Sequence, residues 1–589
     1  MRVAVVIKDR CHPEKCGGIC IRFCPRVRAG VVDTITMGDD GKPMISEDLC
    51  IGCGICVNKC PFEAIKIVGL PEELKSGIIH QYGVNGFRLF NLPQPKSGSI
   101  VGILGQNGTG KTTAVNILSG RLIPNLGELD EKEDWSKVLE KFSGSEIGSY
   151  FKTIADGKIE CSLKPQCIDM LPTIYKGKIK DLLLRNGDEP RVEKFMEELD
   201  IEKIGSKSLK EVSGGELQRV AIAAAMIKES NIYMFDEPSS YLDIYQRLRV
   251  AKKIRELAKE SSVIVVEHDL AILDYLADNV NLVYGAEGVY GIVTPYYKVR
   301  NAINIYLKGY LPGENIRFRD SEITFEKHPP KKKVERKPLI SFDRLKKRYK
   351  NFELAVGKGE LCKGDVVGVV GPNAIGKTTF IMMLAGLVEP SAGKIDSKIR
   401  VSYKPQYLRG DYDSTVEELF GRLCPDLLTP YYGAMVVEPL RIKPFFKNNM
   451  GSLSGGELQR VAIALCLGRD GDLYLIDEPS AYLDSSQRME AARTIRRVVE
   501  SRGRSAYVVD HDIYFIDMLA DELIVFEGKP GRYGKARGPL PMREGMNTFF
   551  SGLSITFRRD EETNRPRVNK PESKLDREQK SRGEYYYTE

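Results

Sequence analysis

The sequence lacks the features of several protein classes. No hydrophobic run approaches the roughly 18 residues of a membrane helix. The N-terminus, MRVAVVIKDRCHPEKC, has neither the apolar stretch nor the small-residue cleavage site of a signal peptide. Membrane transport and secretion are therefore disfavoured, and a cytoplasmic setting is expected. Tryptophan occurs once, as Trp135, and histidine only five times. Neither charge sign dominates, since 88 basic and 81 acidic residues leave a net +7. What is present, 42% hydrophobic and 29% charged residues in 589, is a globular composition with length for about four domains.

Thirteen cysteines are present, and eight precede residue 61. Cys50-x2-Cys53-x2-Cys56-x3-Cys60-Pro61 has the bacterial ferredoxin spacing, in which the fourth cysteine serves the other of two clusters. Cys11-x4-Cys16-x3-Cys20-x3-Cys24-Pro25 is a looser version with the same Cys-Pro ending. Exchange of the fourth ligand groups Cys50, Cys53, Cys56 and Cys24 around one [4Fe-4S] cluster, and Cys11, Cys16, Cys20 and Cys60 around the other. Zinc usually takes paired C-x2-C knuckles, and a disulfide framework suits a secreted chain, so both fit less well.

Residues 99–113, SIVGILGQNGTGKTT, read as a strand, a glycine-rich turn and a helix start, and residues 365–379, DVVGVVGPNAIGKTT, repeat them 266 positions later. Both satisfy G-x-x-x-x-G-K-[ST] in its strand–loop–helix context. Gly105, Asn107, Gly108 and Gly110, like Gly371, Asn373 and Gly376, belong to loops whose N–H groups wrap phosphates at a helix N-terminus. Lys111 and Lys377 reach the phosphates, Thr112 and Thr378 can ligate Mg²⁺, and Thr113 and Thr379 follow. Further matches keep one order: Gln166 in LKPQ and Gln406 in YKPQ, then VSGGELQRVAIA and LSGGELQRVAIA. These contain Ser213, Gly214 and Gly215, and Ser454, Gly455 and Gly456. Twenty-three residues after each serine an apolar strand ends in Asp-Glu-Pro, at Asp236-Glu237 and Asp477-Glu478. The aspartate can hold Mg²⁺ and the glutamate can orient or deprotonate water. VVEHD and VVDHD then place His268 and His511 at matched positions.

This ordered set resembles the ATP-binding cassette (ABC) family in both halves. The resemblance implies a head-to-tail pair of cassettes with two ATP molecules between them, Ser454 and Gly456 serving the Lys111 site and Ser213 and Gly215 the Lys377 site. Gln166, Asp236 and His268, or Gln406, Asp477 and His511, complete the sites; Thr112, Gln166 and Asp236, or Thr378, Gln406 and Asp477, are the Mg²⁺ candidates. Tyr82 or Phe87, and Tyr349 or Phe352, either stack on adenine or pack in the core. Ala374 departs from the family, which usually has glycine there; if that position needs positive φ, alanine adds strain of about 1 kcal/mol.

The halves differ between lysine and glutamine: Lys111 to Gln166 spans 55 positions and Lys377 to Gln406 spans 29. The extra residues fall within 125–154, where Trp135, Val138, Leu139 and Phe142 recur at helical steps, Ser143-Gly144-Ser145 interrupts, and Ile147, Tyr150 and Phe151 resume. A helix–loop–helix insertion is expected there, either a docking element or a surface excursion. Residues 300–325 and 543–557 share an Arg, Asn, aromatic, Gly, Leu and Ile-Thr-Phe pattern that suits paired hinges. From Lys327 to Lys350 eleven Lys/Arg face two acids, Glu335 and Asp343, which reads as a solvated linker or a phosphate contact.

An iron–sulfur domain ahead of tandem cassettes, with this insertion and two hinges, resembles ABC subfamily E, the ribosome recycling factors of the RNase L inhibitor family, essentially over the whole chain to the GEYYYTE tail. The expected fold is α/β: two tandem P-loop cassettes preceded by an α+β two-cluster ferredoxin-like domain. The expected division is 1–75 iron–sulfur domain, 76–298 first cassette, 299–338 first hinge and linker, 339–540 second cassette, and 541–589 second hinge and tail. The resemblance implies ATP hydrolysis with Mg²⁺, ribosome splitting after termination or stalling, persistence on the small subunit, and a release factor or Pelota-like partner. The chain would act as a monomer with an internal pseudo-dimer. The rival reading is an ATP-gated electron carrier. A DNA-repair cassette protein would carry the coiled-coil or zinc insertions that are missing here.

Overall fold

The computed structural model describes all residues except 1, 70–76, 130–133, 320, 326–337, 397–398, 407–411 and 587–589. The basic run up to residue 337, part of the 125–154 insertion and the end of the tail therefore lie outside the described residues. The chain folds as two compact units: Met1–Pro238 with Lys252–His268 and Leu276–Asp320, and Ser321–Glu589 with Ser239–Ala251 and Asp269–Tyr275. Among the described residues no helix is long and apolar enough to cross a membrane.

The first unit is built on an eight-stranded sheet. Its order is Ile78–Gln81, Arg88–Phe90, Tyr290–Lys298, Asn279–Ala286, Ile100–Gly105, Ser262–Val266, Ile232–Asp236 and Cys161–Lys164. The last five run parallel. Strands such as Ile100–Gly105 and Ile232–Asp236 are buried along their length, as expected when both faces of a parallel sheet are covered. Helices Trp135–Lys141 and Glu146–Ala155 stand in the segment with no counterpart in the second half, with Gly144 at φ 76° between them. Their apolar faces point inward: Val138, Ile147 and Phe151 join the cassette core, and Trp135, Leu139, Phe142 and Tyr150 pack against it.

The cysteine-rich segment belongs to this unit. Arg2–Val6 pairs antiparallel with Ile65–Gly69, and short helices carry the cysteines between them. Asn85, in the loop between two cassette strands, is buried and joins this segment to the sheet. Its side chain accepts from the Ile45 amide (2.7 Å) and donates to the carbonyls of Ile45 (2.8 Å) and Ala4 (3.1 Å). Its carbonyl accepts from the Val6 amide at 3.2 Å. Arg88 adds a half-buried ion pair to Glu47.

The second unit contains a ten-stranded sheet whose central order repeats the first: Tyr533–Pro541, Glu522–Lys529, Val366–Val370, Ser505–Val509, Leu473–Asp477 and Val401–Lys404. Helix Met542–Leu553 leads into a hairpin of Phe557–Arg559 and Pro566–Val568. This hairpin holds two aspartates six residues after the matched histidines. Arg559 grips both oxygens of Asp517 at 2.7 Å. Fully buried Arg565 donates to Asp274 at 3.0 Å, and Arg567 donates to the same carboxylate at 3.1 Å.

Asn85 has φ 53°, a conformation asparagine and glycine tolerate better than alanine. Asn85→Ala should destabilise the cysteine-rich segment by about 2–4 kcal/mol, through three lost hydrogen bonds and added strain, and Asn85→Gly by about 1 kcal/mol less. Hydrogen exchange at the Ile45 amide reads this directly, because that N–H bonds to the Asn85 side chain.

Candidate functional site

Each cassette gathers its motif residues at the carboxyl ends of neighbouring parallel strands, where loops can converge. In the first, Ile100–Gly105 runs into the phosphate loop, and Gly110 at φ 89° starts helix Lys111–Leu118. Asn107 and Gly108 lie in the turn between, and Thr112 and Thr113 in the first helical turn. Lys111 folds back over the loop, donating to the carbonyls of Gly105 (3.0 Å) and Gln106 (2.7 Å). Thr112 Oγ1 donates to Asp236 Oδ2 at 2.9 Å. Gln166 Nε2 donates to Glu237 Oε1 at 2.6 Å, and His268 Nε2 lies 3.4 Å from the same oxygen. Three adjacent strands thus supply a glutamine, a carboxylate and a histidine to one point.

The second cassette repeats this. Lys377 donates to the carbonyls of Gly371 (2.9 Å) and Pro372 (2.6 Å). Gly376, at φ 99°, starts the helix holding Thr378 and Thr379. Gln406 Nε2 donates to Glu478 at 2.8 Å, and His511 Nε2 stands 3.6 Å from it. Asn373 N–H donates to Asp243 Oδ2 at 2.8 Å. Glu237 and Glu478 have φ of 50° and 47°, a strain of order 1 kcal/mol that points each side chain back toward its glutamine and histidine.

Ser213 and Ser454 cap helices Gly214–Ile227 and Gly455–Gly468, which open with Gly214-Gly215 and Gly455-Gly456. Each hydroxyl donates to the glutamate three residues on, Glu216 or Glu457, at 2.8 Å. The aromatic alternatives separate by burial. Phe87 and Phe352 lie under the loops, where a Cβ on Gly110 or Gly376 would come within 2.6 Å or 3.0 Å of the ring. Tyr82 and Tyr349 are 46% and 48% exposed and remain open to a base, with Tyr82 Oη 3.3 Å from Thr113 Oγ1.

Electrostatics separate the two acids. Burial, then the adjacent glutamate, raise Asp236 and Asp477 from 3.8 to about 6. Glu478 is pushed up by burial, but the hydrogen bond and charge of His511, with Lys377 and Gln406, hold it down at about 2. Burial and Lys377 push the pKa of His511 down, and Glu478, 3.6 Å from its Nε2, opposes them. Asp236 Oδ1 is buried without a hydrogen bond. Thr378 is within reach of Asp477, yet neither Asp477 oxygen makes a well-formed hydrogen bond. Hard, dry, unpaired carboxylate oxygens beside a threonine hydroxyl fit Mg²⁺.

The cysteines lie in two neighbourhoods. Cys24, Cys50, Cys53 and Cys56 line one cavity with Ile51 and Ile67. Cys11 is raised to about 11 by burial and by its neighbours Cys20, Cys60 and Cys16. Cys24 and Cys60 are extended (ψ 121° and 114°), as a residue before proline must be, which turns each chain away from its own group. None of the eight is in a disulfide. Among the described residues no three His, Cys, Asp or Glu side chains close on a single ion. A four-iron cube takes one thiolate per iron, so its ligands stand around a cavity instead. The donor set fits two such clusters.

Four residues escaped the sequence reading. Buried Lys164 and Lys404, from LKPQ and YKPQ, and Gln218 and Gln459, from GGELQR, contact the carbonyls of the Asp-Glu-Pro segments. Their recurrence in both halves was the available signal.

Fold and site define a tandem ATP-binding-cassette ATPase that uses Mg²⁺ and carries [4Fe-4S] clusters on a ferredoxin-like domain. Residues 94–240 and 357–481 match the "ABC transporter" family, residues 1–31 a "Fer4-like domain in RNase L inhibitor, RLI", and residues 43–66 a "4Fe-4S binding domain". An uncharacterized ABC transporter ATP-binding protein of Methanocaldococcus jannaschii is 48% identical over 592 residues, covering 100% of this chain and 98% of that one. Two solved structures are similar throughout. In a complex of archaeal ribosomal stalk protein aP1 with archaeal ribosome recycling factor aABCE1, the match has TM-score 0.84 and 50% identity over 88% of this chain and 100% of that one. In a model of ribosome-bound archaeal Pelota and ABCE1, it has TM-score 0.93 and 51% identity over 100% and 99%. The chain belongs to the E family of ABC proteins, that of the RNase L inhibitors.

Two measurements test this geometry. Asp236 and Asp477 titrate near 6, so they take up protons as pH falls through that value, and a protonated carboxyl cannot ligate Mg²⁺. The Mg²⁺ concentration for half-maximal ATPase should rise about fourfold between about pH 7.5 and about pH 5.5, while Glu478 stays ionised throughout. The position of Ala374 does have positive φ, 56°, against 70° at Gly108. A Cβ on Gly108 would meet Glu287 Cγ at 2.7 Å. Gly108→Ala should therefore weaken nucleotide binding at the first site about tenfold, while Ala374→Gly changes the second less than about threefold, as read by fluorescent-nucleotide titration.

Proposed function

We propose that this protein splits ribosomes into subunits after termination or stalling, using ATP-dependent closure of its cassettes to move the iron–sulfur domain, and then stays on the small subunit. The observation that carries this reading is one chain holding two matched Asp–Glu–Gln–His sites together with two four-cysteine sets. Relatives bound to the ribosome with Pelota, or to the ribosomal stalk, support it.

In this reading the phosphate loops and Tyr82 and Tyr349 bind ATP. Glu237 and Glu478 are the catalytic bases, each oriented by Gln166 and His268 or Gln406 and His511. Glu478 is held ionised, so it can accept a proton from water, and an N–H of His511 beside it can donate to the phosphate being cleaved. Thr112 and Asp236, or Thr378 and Asp477, would hold Mg²⁺, which neutralises phosphate charge when bound. The eight cysteines would hold the clusters as a scaffold. Two ATP molecules favouring the closed state shift the population toward it. The division at 75, 298, 338 and 540, cytoplasmic location, and action as a monomer with a release or Pelota-like factor complete the proposal.

The test is sedimentation of ribosomes and subunits with the protein, a non-hydrolysable ATP analogue and a Pelota-like factor. Loss of intact ribosomes with nucleotide-dependent co-migration on the small subunit is expected, and Glu237→Gln with Glu478→Gln should cut ATP turnover at least about a hundredfold. No ribosome association in any nucleotide state, with clusters changing oxidation state during turnover, would replace this reading by the electron carrier.

A further inference from the structure

The two buried lysines that precede Pro-Gln have no part in the roles assigned above. Lys164 and Lys404 are 0% and 1% exposed. An ammonium group without solvent must be satisfied by the protein. Lys164 Nζ donates to the carbonyls of Asp236 (2.8 Å) and Glu237 (3.1 Å). Lys404 Nζ donates to the carbonyl of Asp477 (2.7 Å) and to that of Pro405 (3.1 Å). The same stretch receives a second donor from the signature helix. Gln218 Nε2 donates to the carbonyls of Glu237 (2.8 Å) and Pro238 (3.0 Å), and Gln459 Nε2 to that of Glu478 (2.6 Å).

We infer that Lys164 and Lys404, completed by Gln218 and Gln459, are positioning residues for ATP hydrolysis, holding the main chain of Glu237 and Glu478 in the left-handed turn that aims each carboxylate. The inference rests on the reading of those glutamates as bases. The turn has positive φ, which glutamate adopts only under constraint, and its carbonyls are where the donors converge. The lysine sits two residues before the glutamine that grips the carboxylate, so one short segment fixes both ends of the glutamate: main chain through Lys164 or Lys404, side chain through Gln166 or Gln406. In the first half Gln218 ties the Glu237 carbonyl that Lys164 also holds to the helix capped by Ser213; in the second, Gln459 ties the Glu478 carbonyl, next to the Asp477 carbonyl held by Lys404, to the helix capped by Ser454. Burial alone would be served better by an apolar side chain of equal length, yet the charged donor stands at matched positions in both halves.

The experiment compares full-length Lys164→Met/Lys404→Met with wild type by steady-state ATPase and fluorescent-ATP binding. We expect kcat to fall at least about tenfold while KM and nucleotide Kd stay within about threefold. Placed on Glu237→Gln/Glu478→Gln, the lysine changes should subtract nothing further, because both act through one carboxylate. If the lysine variant does not fold, Gln218→Met/Gln459→Met is judged by the same criteria. Unchanged kcat, parallel loss of nucleotide affinity, or additional loss on the Glu→Gln background would overturn the inference. Full activity of Glu237→Gln/Glu478→Gln itself would instead overturn the reading of the bases.

Discussion

Two acidic residues side by side at the buried end of a strand are the constraint around which each cassette is arranged. Neither can be charged there without donors or cations in contact. The structure resolves this by giving the two different surroundings. Asp236 and Asp477 face the phosphate-loop threonine and have oxygens left over, so they sit near the middle of the titration range and await a cation. Glu478 is surrounded by a glutamine, a histidine and a lysine and stays ionised. Identical chemistry in adjacent positions thus titrates in two different ranges, which suits the ligand and base roles proposed for the pair.

Strand order makes this division possible. Because Cys161–Lys164, Ile232–Asp236 and Ser262–Val266 are parallel neighbours, the residues just past their ends, Gln166, Glu237 and His268, meet at one edge although they are far apart in sequence. The second sheet repeats the order, and Gln406, Glu478 and His511 meet in the same way. The repeat is not perfect. Ala374 accepts a left-handed conformation where the first loop has glycine, and only the first cassette has the two-helix excursion. The aromatic residues of that excursion face inward, leaving Lys137, Glu140, Glu146, Ser149 and Lys152 on its outer surface.

Local rules explain the cysteine-rich segment unusually well. Proline after Cys24 and Cys60 forces an extended backbone, which hands the fourth thiol to the other group. Its attachment to the first sheet depends on a different kind of residue. Asn85 combines a positive φ with a side chain that imitates a strand partner, bonding the main chain of Ile45 and Ala4.

Much of this was legible in the sequence because ligands for phosphate, Mg²⁺ and iron must recur at spacings set by backbone geometry. GxxxxGKT, SGGE, Asp-Glu-Pro and Cys-x2-Cys-x2-Cys each encode a local conformation. Duplication then separated signal from coincidence, as at His268 and His511. Residues that act through tertiary contacts showed at most recurrence, with nothing in their local sequence to say what they touch. Whether Tyr82 or Phe87 is open to a base depended on which ring packs beneath Gly110, and Trp135 turned inward because an amphipathic helix shows its period but not its partner. Asn85, Lys164 and Gln218 read as ordinary polar residues until the fold placed main-chain carbonyls against them. The sequence by itself determined the chemistry of the sites and their doubling, since those depend on residue type at short range. Only the tertiary structure decided which buried donors hold the carboxylates in place, because a hydrogen bond between distant segments depends on where the chain returns.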